Sequence, residues 1–182
     1  MRRLAQLREG TEGSALLEFA LVLPLLVVFI VGIYDFSGAF NQRQKISHAT
    51  QEGAVFAAAQ PMTDIDPTNG NPDSLQQVVA AIAASLTANQ VVPEAGCGAP
   101  AGALVSGMKW QYTITCGADT LTIIVDRGVV VDLGPPAIIG SRVEVSYPYH
   151  WRFNSVIQLL FPGAGYAATT ILDDSATVHN QI

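Results

Sequence analysis

Gly13-Ser14-Ala15-Leu16-Leu17-Glu18-Phe19-Ala20-Leu21-Val22-Leu23-Pro24 opens an apolar run that continues to Tyr34. Between Ala15 and Tyr34 the sole charged side chain is Glu18. A run of about 20 such residues is what an α-helix needs to cross a hydrocarbon core of about 30 Å, so residues 15–34 read as a bilayer span. A cleaved secretory signal fits less well. Its apolar core usually runs about 7–15 residues and ends in a small-x-small pattern, whereas Tyr34-Asp35-Phe36 follows here.

Residues 1–13 carry Arg2, Arg3 and Arg8 with Glu9 and Glu12, and too little apolar surface to fold alone. They read as a cytoplasmic leader. Arg43 and Lys45 follow the span, and the positive-inside rule then leaves the rest of the chain on the extracytoplasmic side. Within the span Pro24 lacks an N–H, which predicts a bend between Leu21 and Pro24. Asp35 is expected to mark the exit into water, with Tyr34 and Phe36 in the aromatic belt.

The helix is expected to continue through residues 35–60. No proline interrupts Ser37 to Gln60, and Phe40, Ile46, Ala49, Gly53, Phe56 and Ala57 recur at helical spacing as an apolar stripe. One helix over residues 14–60 would be on the order of 70 Å long at about 1.5 Å per residue. Gly32, Gly38 and Gly53 work against its continuity.

Residues 61–182 read as an extracytoplasmic α+β head. Pro61 stops the helix, and Thr63 to Pro72 is a loop dense in Asp, Asn, Pro and Gly. It departs from a calcium loop begun at Asp64, because the fifth, sixth and twelfth positions are Thr68, Asn69 and Leu75. Asp73 with Gln76 predicts a capping box for a second helix from Ser74 to Leu86, burying Leu75, Val78, Val79, Ile82 and Leu86. Asn89 to Ser106 is rich in Gly, Pro and Ala and reads as an irregular connection. Met108 to Cys116 and Leu121 to Asp126 then alternate about Gly117-Ala118-Asp119, which predicts a hairpin. Arg142 to His150 predicts a further strand whose Pro148 belongs at a sheet edge or a strand end. A short strand at Val129 to Leu133 would make the antiparallel sheet three- or four-stranded.

The chain has 182 residues, 49% hydrophobic and 13% charged, with a net charge of −6. This length suits one anchor and one small domain. No basic cluster exists beyond the leader, so the composition points away from nucleic acid. Cys97 and Cys116 are candidates for one disulfide in an extracytoplasmic domain, a pairing the sequence leaves open. No catalytic, cofactor-binding or metal site is expected. The histidines, His48, His150 and His179, are scattered, and no nucleophile elbow, phosphate loop, dinucleotide fingerprint or zinc-binding helix occurs.

Glu18 stands out because a carboxylate among leucines is costly in lipid and normally has a partner. If the leader is cut after Gly13, Ser14 gains an α-amine one helical turn before Glu18, and the carboxylate also suits the helix N-terminus.

Five stretches carry a resemblance. Gly13, four further residues and then Glu18-Phe19 match the recognition pattern of a prepilin peptidase. With Gly32-Ile33-Tyr34-Asp35-Phe36 and Gln51-Glu52-Gly53-Ala54-Val55-Phe56-Ala57-Ala58, this resembles the TadE/TadG family of Flp (tight adherence) type IVb pilus proteins. Val143-Glu144-Val145-Ser146-Tyr147-Pro148-Tyr149-His150-Trp151 is similar to a Tyr-Pro-aromatic strand of that family, and Ser175-Ala176-Thr177 to its closing segment. Pro61 to Arg127 shows no such likeness. The resemblance implies a type IV pilin-like fold and a minor pseudopilin of the inner membrane. Gly13 would precede the cut, Ser14 would be the new N-terminus and Glu18 the assembly acid. The implied partners are the prepilin peptidase, other pilins or pseudopilins, the inner-membrane assembly platform and membrane lipid; the implied roles are pilus assembly, adhesion and secretion. The rival reading is a membrane-tethered ligand-binding module or hydrolase, which would need convergent polar groups near Glu144, His150 and Trp151.

Overall fold

The computed structural model describes residues 11–153, 158 and 169–181. Among these residues the chain forms two helices, α1 (Thr11–Ala59) and α2 (Asp73–Ala88), and five strands. The strands are β1 (Ala101–Ser106), β2 (Lys109–Cys116), β3 (Asp119–Asp132), β4 (Ile138–His150) and β5 (Thr169–His179). They form one antiparallel open sheet in the order β1-β2-β3-β4-β5. The architecture is the α+β, pilin-like class expected, with one strand more. Residues 1–10 of the expected leader lie outside the described residues.

Two compact units emerge. One holds the chain up to Gly38 together with Trp151–Ala168; the other holds Ala39–His150 and Thr169–Ile182. α1 contributes to both and is helical without a break through Pro24, Gly32, Gly38 and Gly53. Gly53 has a packing reason, since a Cβ there would lie 2.5 Å from the side chain of Ile82 in α2. The glycine lets the two helices approach at that point.

The core of the second unit joins α1, α2 and one face of the sheet. Ile46, Ala49, Ala54 and Ala57 meet Leu75, Val78, Val79, Ile82 and Leu86, and both sets pack on Trp110, Tyr112, Leu121, Ile123, Val125, Val143 and Val145. The α2 stripe is the one its spacing predicts. The α1 stripe differs: Phe40 and Phe56 are exposed, and alanines with Thr50 take the inward positions. Small side chains let α1 lie close to its neighbours, and a phenylalanine on that face would hold it away.

α2 is not capped by its own Asp73. The residue before it, Pro72, has extended backbone and makes no side-chain cap bond. Asp64 reaches over from the preceding loop instead, its carboxylate accepting the Ser74 N–H and the Ser74 hydroxyl, each at 2.8 Å. An anion placed there satisfies an orphan amide and suits the positive helix end. Gln76 does reach Asp73, at 3.0 Å, but its other bond goes to the Asn71 carbonyl.

The sheet extends the expected strands in three places. β1 lies within the stretch expected to be irregular; its Gly102 pairs with Tyr112, whose ring would be 2.5 Å from any added Cβ. The close approach demands the small residues that disguised the strand. Val129 to Asp132 is the end of β3, carried past a register shift after Asp126. β5 forms the other edge and pairs with β4 from Gly140 to His150. β4 is therefore an interior strand, and Pro148 sits beyond Ser146, where its pairing with β3 has ended. In the β2–β3 hairpin Cys116 pairs with Asp119, leaving Gly117 and Ala118 as the turn, and Gly117 takes the positive φ of 65° that such a turn needs.

Candidate functional site

The first part of α1 holds the residues singled out in the sequence. An apolar window of mean hydropathy 2.8 lies within Gly13–Ala59, and none of it is buried against the rest of the chain. Leu16, Leu21, Phe29 and Ile33 are each at least 60% exposed. A core helix would bury these side chains, and a soluble surface rarely shows so long an apolar face. The helix is compatible with a single-pass membrane anchor.

Gly13 and Ser14 lie in the first turn of α1, where backbone amides have no intrahelical acceptor and the helix frays most readily. Ser14 Oγ donates to Glu18 Oε1 at 3.3 Å. The two residues thus share a face one turn apart, and the N-terminal atoms of Ser14 belong to the same turn.

At the far end of the apolar stretch Asp35, expected to mark the exit into water, is covered by protein. Asp35 is 2% exposed, and its Oδ2 accepts the Phe153 N–H at 2.6 Å. Phe36 meets Trp151 edge to face with centroids 5.2 Å apart, and Arg152 Nη1 lies 3.4 Å from Tyr34 Oη. Asp35 is covered because a second segment of the chain lies against it, which no local pattern could announce.

Of the residues of the rival reading, His150 lines a cleft of 520 Å³ with Asp119, Thr120, Thr122, Ser146 and Thr169, while Glu144 and Trp151 do not line it. Glu144 faces Arg142 at 4.0 Å, His150 bonds Asp119 at 2.8 Å, and Trp151 packs on Phe36. His48 pairs along α1 with Glu52 at 3.5 Å, and His179 lies on edge strand β5. Among the described residues no three His, Cys, Asp or Glu side chains are placed to hold a metal ion.

A polar cluster that sequence reading missed lies beneath the end of α1. Arg127 is fully buried; its Nη2 donates to the Gln60 carbonyl at 2.7 Å and to Met62 Sδ at 2.9 Å, and its Nε to the same sulfur at 3.2 Å. Arg127 Nη1 and Tyr112 Oη have no hydrogen-bond partner among the described residues. Burial lowers the Arg127 pKa against the opposing charge of Asp64. Burial also acts to raise the pKa of Asp64, but the bonds from Ser74, with Arg127 nearby, outweigh it and hold the carboxyl below its ordinary value. The Tyr112 phenol is pushed up to about 12, by burial first and then by the Asp64 charge. A signal for Arg127 did exist. Leu121, Ile123 and Val125 face inward, and one more step of the same period lands on 127.

Cys97 and Cys116 are joined by a disulfide. It fixes the segment before β1 to the end of β2, supported by a bond from the Gly98 N–H to the Thr115 carbonyl at 2.8 Å.

No curated protein and no solved structure matches the chain. A family model does match, over the span and most of the helix that follows it, and it agrees with the resemblance carried by Gly13, Glu18 and the apolar run. Residues 13–55 match the model of the family described as TadE-like protein, and it is to that family that this segment of the chain is similar.

Proposed function

We propose that the chain is a minor pseudopilin of an Flp/Tad-type pilus, cut by a prepilin peptidase after Gly13 and acting in pilus assembly or adhesion without catalysis of its own. The observation that carries this reading is the register of Gly13, Ser14 and Glu18 at the head of an unburied apolar helix, inside the segment that matches the TadE-like model. Cleavage would place an ammonium on Ser14 in the turn before Glu18. An ion pair there would offset the cost of holding the carboxylate in lipid, within one subunit or between neighbours.

The leader arginines support a cytoplasmic N-terminus in the inner membrane, with the disulfide-bearing head on the oxidising side. The partners of this reading are the peptidase, other pilins or pseudopilins, the assembly platform and membrane lipid. Intact-mass measurement of the protein from cells with and without the peptidase tests it. A mature chain beginning at Ser14 is expected only where the peptidase is present, and an uncut leader in its presence overturns the processing step.

A further inference from the structure

Where α1 leaves its apolar stretch, the chain returns to it. Trp151, Arg152 and Phe153 belong to the same compact unit as the first part of α1. They are fixed there by the Phe153 amide on Asp35 and by the ring of Trp151 against Phe36. Between these residues and the helix lies a cleft of 270 Å³, lined from Val28 to Phe36 of α1, Asp35 included, on one side and by Trp151 and Phe153 on the other. A Cβ at Gly32 would meet no atom of the described residues within 4 Å, so the missing side chain leaves open space among them.

We propose that this cleft is a binding site for a bilayer phospholipid, with an acyl chain against Gly32 beneath Trp151 and the headgroup phosphate at Arg152. Three observations favour this occupant. The floor of the cleft is continuous with the exposed apolar face that needs hydrocarbon around it. Apart from Asp35, its walls are apolar and aromatic, and aromatic rings with a polar edge settle at the level of the headgroups. At its rim Arg152 is exposed, whereas Asp35 is covered and engaged with the Phe153 amide, so the rim presents a cation to a phosphate. The site rests on the anchor reading and is independent of leader processing.

Tryptophan fluorescence tests it, because the chain has only two tryptophans and the other, Trp110, is fully buried in the head with its Nε1 on the Asn69 carbonyl. The full chain is reconstituted in phosphatidylcholine–phosphatidylglycerol vesicles with or without bromine on the acyl chains. Brominated lipid is expected to quench a component of the emission that Trp151→Phe removes. Gly32→Leu, which fills the cleft without touching either tryptophan, should abolish most of that quenching. Arg152→Gln should weaken the preference for the anionic lipid roughly fivefold. Equal quenching of the wild type and Trp151→Phe, or none in either, overturns the site, as does a Trp151 shielded from lipid by a neighbouring helix. Flotation of the protein with the vesicles reads the anchor separately. Protein that floats with Trp151 unquenched defeats the lipid site alone, and protein that fails to float defeats both.

Discussion

Ser14 and Glu18 stand one turn apart on the same face of α1, the hydroxyl donating to the carboxylate at 3.3 Å. Removing the acid cannot make entry into hydrocarbon harder, because the apolar window remains and a charge has gone. Glu18→Ala is therefore expected to leave membrane extraction unchanged while lowering the yield of surface pili. Carbonate extraction and pilus shearing measure the two separately, and normal pilus yield from this variant would remove Glu18 from assembly.

Asp64 caps α2 from outside the helix. Its folded pKa lies below the ordinary value, so the stabilisation it gives is present above the unfolded pKa and is lost as pH falls through the folded one. Asp64→Asn should cost about 1 kcal/mol at neutral pH, in line with other helix caps. The difference from wild type should begin to shrink below about pH 4, as the unfolded carboxyl takes up its proton, and should vanish once the pH has fallen through the lower folded pKa. Urea unfolding of the two proteins at several pH values reads this convergence; a constant difference across the range would contradict it.

Tyr112 behaves with the opposite sign. Its pKa is raised to about 12 by burial and by Asp64, so its contribution is complete below the unfolded value and fades as pH rises towards the folded one. The head should lose stability between about pH 10 and pH 12, and Tyr112→Phe should flatten that loss. At neutral pH the same variant removes a buried hydroxyl with no partner among the described residues, and should be neutral or stabilising by up to about 1 kcal/mol. Thermal melts across alkaline pH, with tyrosinate absorbance, check both statements.

Arg127 places a guanidinium where β3 would otherwise place an aliphatic side chain. Arg127→Ala should destabilise the head by about 3 kcal/mol, through lost packing and the unmet Gln60 carbonyl. Arg127→Met keeps most of the volume without the burial of a charge, and should be more stable than the alanine variant by about 2 kcal/mol. Chemical denaturation of both variants decides it; equal losses would mean that the charge, and not the packing, holds the site.

The disulfide closes a loop between residues separated by 19 positions. A loop of that size corresponds to about 3 kcal/mol of chain entropy in the unfolded state. The double variant Cys97→Ala/Cys116→Ala should lose about that much stability without altering the span, as denaturation of the detergent-solubilised protein would show.

The anchor and α2 were legible because each repeats one physical pattern over several turns: uninterrupted apolar residues in the first, a spacing of three and four in the second. β2 and the first part of β3 were legible from alternation and the glycine turn. β1 was hidden because Gly102 had to be small beneath Tyr112, and β5 because an edge strand bearing Asp173 and Asp174 needs only one weakly apolar face. The cap of α2 was misassigned for a different reason: local spacing nominated Asp73, while the tertiary path of the loop delivered Asp64. Within the candidate site, the relation of Gly13, Ser14 and Glu18 follows from helix geometry alone. Asp35 does not, since its cover comes from Phe153, far along the chain.

The end of α1 has one more consequence, and it is mechanical. The last carbonyls of a helix normally face water or a cap, but here the Ala58 carbonyl takes the Gln181 N–H at 3.0 Å and the Gln60 carbonyl takes the Arg127 guanidinium. Both donors come from the sheet side of the head, one from β3 and one from the segment that follows β5. A tension applied along α1 would therefore pass into two strands through separate hydrogen bonds, and the helix could not be drawn away by breaking either one alone.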